Sequence, residues 1–103
     1  MMNIATGQTV YEQIVSVNED NNPVTGVTFD IAMYKDGASY TGVTVGISPT
    51  DLTRGVYTAE WSASTLGDYQ LYVKNNITSV IFVADNVYVK SDNELSTNVY
   101  IGM

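Results

Sequence analysis

Cysteine and histidine are both absent from the 103 residues, and lysine and arginine together number four. Without cysteine there is no disulfide, no thiolate nucleophile and no sulfur ligand for a metal, and nothing in the chain depends on an oxidising compartment. Without histidine, acid–base chemistry near neutral pH is left to carboxylates raised by burial. Against four cations stand eleven Asp and Glu, a net charge of −7. Such a surface repels phosphate backbones and anionic lipid, so neither nucleic acid nor membrane is an expected partner. Long apolar runs are missing too, and Met1–Gly7 has neither the basic nor the apolar stretch of a secretion signal, so none is expected.

What is present suffices for one core. Hydrophobic residues make up 45% of the chain and charged ones 15%, outside the range of disordered segments, and a domain of this length buries roughly two-thirds of its unfolded surface. Helical periodicity is hard to find. Val, Ile, Thr and Tyr instead occur in short runs broken by Gly, Pro, Asn and Asp, which is the pattern of a sandwich or barrel. Val27, Phe29, Ile31 and Met33 alternate with smaller or more polar neighbours and share one face of a strand. Lys35-Asp36-Gly37 supplies a hairpin turn into a second strand over residues 38–45.

Upstream, residues 8–17 are expected as an edge strand whose mixed apolar phase suggests a bulge or a switch between sheets. Downstream, Gly46-Ile47-Ser48-Pro49-Thr50-Asp51-Leu52 has the composition of a crossing loop with a short helical turn begun at Ser48 and Pro49. Tyr57, Ala59 and Trp61 face one way, as do Tyr69, Leu71 and Val73. After a turn at Asn75-Asn76, residues 78–90 form a long last strand kinked at Ala84-Asp85-Asn86.

Gly55-x-Tyr57-x-x-x-Trp61 followed by Gly67-Asp68-Tyr69-x-Leu71-x-Val73 resembles the paired-strand signature of immunoglobulin-like domains in bacterial surface and tailed-phage virion proteins. The resemblance covers residues 8–90 and implies an all-β, immunoglobulin-like β-sandwich of about seven antiparallel strands, with residues 91–103 as a C-terminal extension. It also implies a tyrosine corner at Tyr69, a hydroxyl bonded back to upstream backbone. Antibody-type functions are not implied, because the cysteine pair is missing.

Residues able to do chemistry are few. Glu60 and Asp68 are the one carboxylate pair worth inspecting for acid–base work, and neither Ser48 nor Ser62 has the surroundings of a nucleophile. Asn18-Glu19-Asp20-Asn21-Asn22 is rich in oxygen ligands but lacks calcium-loop spacing and reads as turn chemistry. No catalytic residue, metal or cofactor is therefore expected. The compositional oddity is eight Tyr against two Phe and one Trp. Strand phase turns Tyr34, Tyr72 and Tyr88 away from the core, where they bring large contact area at low entropy cost or simply serve strand propensity.

At the end of the chain, Leu95, Val99, Tyr100 and Ile101 have no evident place in a core already supplied, and either dock on a partner or add an edge strand to their own sheet. The resemblance implies a non-enzymatic structural protein, an auxiliary or decoration protein on the capsid surface of a phage virion, made in the host bacterial cytoplasm. Its partner would be the major capsid protein or another virion protein, with symmetric copies on the shell. The main alternative is a carbohydrate-binding or host-adhesion module of a fibre or tail, with Trp61 or the outward tyrosines stacking on sugar rings, and a third is a portal, neck or tail component of the same virion.

Overall fold

The computed structural model of the protein describes residues 2–91, and among them every regular element is a strand. In chain order these are β1 (Met2–Ala5), β2 (Val10–Val15), β3 (Phe29–Lys35), β4 (Ala38–Ser39), β5 (Gly46–Asp51), β6 (Val56–Trp61), β7 (Gly67–Asn75), β8 (Ile81–Val83) and β9 (Val87–Lys90). They form two sheets that do not close into a barrel. The larger has the order β1-β9-β7-β3-β4, with β8 also on β7, and the smaller the order β2-β6-β5. Every pairing is antiparallel except β1 with β9.

Alternation builds the shared core of this sandwich-like arrangement. Tyr57, Ala59 and Trp61 from β6 and Tyr69, Leu71 and Val73 from β7 are all buried, joined by Val10, Ile14, Met33, Val87 and Val89. Tyr69 forms the expected corner: its hydroxyl donates to the Thr65 carbonyl oxygen at 2.8 Å. Asp36 and Gly37 both have positive φ, 53° and 84°, so the β3–β4 hairpin closes on the two-residue turn that Asp-Gly favours. The last strand begins at Ile81 rather than at residue 78, which belongs to the turn, and its kink is a one-residue bulge. Tyr72 faces Val83 while Tyr69 faces Val87, so the two residues between them on β7 are matched by three on the β8–β9 side.

Four expectations need correction. The strand after the hairpin is two residues long rather than spanning 38–45. Tyr40 turns into the core, edge-on to Tyr69 at 5.9 Å, and its ring lies where a Cβ at Gly42 would sit, after which the chain leaves for the other sheet. Residues 46–51 are therefore not the crossing loop, and Ser48-Pro49 starts no helical turn. They form β5 at an edge, where the missing proline N–H costs no ladder bond, and the register slips between Pro49 and Asp51.

No bulge interrupts β2, whose register with β6 is unbroken from Val10 to Val15. Its inward positions are Val10, Glu12 and Ile14, and the carboxylate among them makes the phase look mixed. Finally, the residues before position 8 also pair: β1 lies parallel to β9 and buries Ile4.

Candidate functional site

Outward-facing residues of the larger sheet come together by register. Ala32 pairs across to Tyr72, and Tyr72 to Val83, so one row runs Ala32–Tyr72–Val83 over β3, β7 and β8. Tyr34, two residues along from Ala32, reaches diagonally to Tyr72, and the rings meet edge to face at 5.1 Å. Ile81 flanks the row through its pairing with Lys74. Tyr34 is 37% exposed, Val83 48% and Ile81 59%. A shallow depression joins Tyr34, Tyr72 and Ile81, lined also by Ile31, Ala32 and the charged Asp30 and Lys74.

A chain of hydrogen bonds fixes one side of this surface. The Tyr72 hydroxyl donates to Gln70 Oε1 at 3.0 Å, and Gln70 Nε2 donates to Asn86 Oδ1 at 3.1 Å. Asn86 Nδ2 in turn donates to both Asp68 carboxylate oxygens at 2.9 and 3.0 Å. Asp68 is tied to the hairpin turn, its N–H donating to Asp36 Oδ1 at 2.9 Å. The bulge is what turns Asn86 toward β7, so this network is a consequence of the extra residue. Held in this way, Tyr72 presents an oriented ring.

Of the tyrosines singled out by strand phase, Tyr34 and Tyr72 thus form a pair. Tyr88 also faces outward but sits across from Asp68, four residues along β7 from Tyr72, about 13 Å away. Leu95, Val99, Tyr100 and Ile101 lie outside the described residues. The carboxylates Glu60 and Asp68 do not meet, because each points outward from a different sheet. In the Asn18–Asn22 loop, the Asn18 side-chain oxygen accepts from the N–H groups of Asp20 and Asn22 at 2.9 and 3.0 Å, which is turn chemistry. Among the described residues no group of three metal-ligating side chains is found.

The carboxylates that do approach one another are Glu12 and Asp85, which sequence reading missed. Glu12 takes an inward position at the edge strand β2, and the bulge places Asp85 on the opposite sheet. Both line one cleft with Met2, Phe82 and Val87. Burial first, and the Asp85 charge second, push the Glu12 carboxyl above its ordinary 4.5. Because the folded state holds this proton more tightly than the unfolded one, the associated stability is full below the unfolded value and is lost as pH rises through the folded one. Glu12→Gln should therefore melt at a higher temperature than the natural chain at neutral pH, with the gap closing toward pH 4. Parallel melting curves across that range would remove Glu12 as a source of pH dependence.

Trp61 is 3% exposed, packed against Tyr69 at 5.5 Å, and its indole Nε1 is buried without a hydrogen-bond partner. Comparison with family models, with curated proteins and with solved structures finds no match to this chain.

Proposed function

We propose that this chain is an immunoglobulin-like structural module of a tailed-phage virion, an auxiliary or decoration protein that docks on the shell through the outer face of its larger sheet. The order β1-β9-β7-β3-β4 over β2-β6-β5, together with the Tyr69 corner, supports the immunoglobulin-like assignment. The observation that carries the docking role is the oriented Tyr34–Tyr72 pair flanked by exposed Ile81 and Val83. It is a largely apolar surface with oriented aromatic centres and the charges of Asp30 and Lys74 beside them, the composition of a protein contact.

Charge supports the orientation. The outer face of the larger sheet carries Lys74 and Lys90 beside Asp30 and Asp68, whereas Glu19, Asp20, Asp51 and Glu60 belong to the smaller sheet and its loops, where Arg54 is the one cation and bridges Asp51 at 3.7 Å. The acidic side then faces solvent and the nearly neutral side faces the shell. Trp61, on which sugar stacking would most readily rest, has no exposed ring face.

Cosedimentation with shells lacking the endogenous copy tests this reading. Saturable binding is expected, weakened at least about tenfold by Ile81→Asp combined with Val83→Asp, two exposed positions outside the core. Truncation after Lys90 reports separately on the terminal segment. If the full chain does not bind such shells, the decoration reading fails and glycan binding becomes the question to ask.

A further inference from the structure

Independently of what the outer face binds, we propose that β3 is a pairing edge for a second copy of this chain, joining two larger sheets antiparallel about a two-fold axis at Phe29. β3 pairs with β7 along its whole length, but β4 covers it only at Tyr34 and Lys35. The Tyr40 N–H reaches the Met33 carbonyl at 2.9 Å and closes that flank there, while the Asn76 N–H bonds the Thr28 carbonyl at 3.0 Å on the β7 side. By alternation, the N–H and C=O groups of Val27, Phe29 and Ile31 point to the uncovered side, where the described residues supply no strand. Ile31, at an inward position opposite Val73, is nevertheless 41% exposed. The edge is open along its backbone and at its apolar side chain together.

Other edges are blunted. β5 carries Pro49 and a register slip, β2 has the inward carboxylate of Glu12, and β1, β4 and β8 are only four, two and three residues long. Proline, an inward charge and short length are the devices that keep strands from pairing with strangers. On the open part of β3 the single charge is Asp30, and it selects the register. A two-fold axis at Asp30 would set two carboxylates face to face. An axis at Ile31 would bring a second Phe29 opposite Met33, where Tyr40 already sits.

The axis at Phe29 avoids both conflicts. It places Thr28 opposite Asp30 and Val27 opposite Ile31, so apolar side chains meet on the inner face and a hydroxyl meets the carboxylate outside. A second copy is the occupant because in this register the edge complements itself. Each copy carries −7, so their repulsion is screened by salt and the dimer tightens as ionic strength rises.

Sedimentation equilibrium on the full chain is the first measurement. A monomer–dimer equilibrium that strengthens with salt is expected, and Ile31→Pro should abolish it. By alternation the Ile31 N–H faces away from β7 and lies beyond the pairing with β4, so proline there removes no ladder bond to either strand. Ile31→Lys, at the same exposed position, serves as the second variant should proline perturb folding. Register is read by disulfide formation, since the chain has no other thiol: a mixture of Thr28→Cys and Asp30→Cys chains should cross-link, and either variant alone should not. A chain that stays monomeric at every concentration overturns the proposal. So does a dimer that survives both Ile31 variants, one lost on Val99→Asp with Ile101→Asp instead, or a cross-link that ignores the pairing of 28 with 30.

Discussion

Gly55→Ala should destabilise the fold by about 3 kcal/mol or more, lowering the melting temperature of a domain this size by ~15 °C. Two causes combine at this position. Gly55 has φ of +70°, where an L side chain is strained, and a Cβ built there would lie 2.1 Å from the Ser16 carbonyl oxygen. That oxygen is backbone and cannot swing aside. Moving it means separating the strand ends of β2 and β6, where the Ser16 N–H donates to the Gly55 carbonyl at 2.7 Å and the Val24 N–H donates to the Ser16 carbonyl at 2.9 Å.

Gly7 is the comparison that separates the two causes. Its φ is +80° but nothing lies within 4 Å of a Cβ placed there, so Gly7→Ala should report the conformational cost alone, about 1 kcal/mol. Urea denaturation of both variants against the natural chain gives the difference. A Gly55→Ala loss no larger than that of Gly7→Ala would mean the β2–β6 junction yields easily, contrary to its hydrogen bonding.

Legibility in the sequence followed from how many constraints each segment satisfies. β6 and β7 alternate strictly over Val56–Trp61 and Asp68–Val73, each after a glycine, and their inward residues became the centre of the core. Asp36-Gly37 was readable because few residue pairs adopt positive φ twice in succession. β1 was not, since four residues with one buried side chain, Ile4, carry no period, and parallel pairing with β9 depends on an element at the far end of the chain.

Proline and serine in β5 imitate a loop when the edge position that tolerates them is unknown. The surface shows the same limit. Phase assigned Tyr34, Tyr72 and Tyr88 to the outside, but proximity depends on register, which brought Tyr34 and Tyr72 within ring contact and left Tyr88 apart. Glu12 was missed because a carboxylate on an inward phase contradicts the pattern that identifies the phase.

Asn75→Ala is the second large effect, expected at about 3 kcal/mol, because one buried side chain closes a turn and joins the sheets at once. Its Oδ1 accepts from the N–H groups of Ile77 and Thr78 at 2.9 and 3.1 Å, holding the turn between β7 and β8. Its Nδ2 donates at 2.8 Å to Ser16 Oγ, which donates in turn to the Val24 carbonyl at 2.8 Å. β7 belongs to the larger sheet and Ser16 follows β2 of the smaller one, so this bond spans the core rim next to Gly55. Alanine leaves two N–H groups and a hydroxyl short of partners, at roughly 1 kcal/mol for each bond lost.

Asn75→Asp separates the two roles, since it keeps the acceptor oxygen for the turn and loses the donor to Ser16. A double-mutant cycle with Ser16→Ala measures the link between sheets directly, and a coupling of about 1 kcal/mol is expected by denaturant titration. Additive losses would confine Asn75 to its own turn. The Gly55–Ser16 backbone contact joins β2 to β6 within the smaller sheet and cannot replace that link, so the Gly55 and Asn75 variants in one series separate cohesion within a sheet from cohesion between sheets.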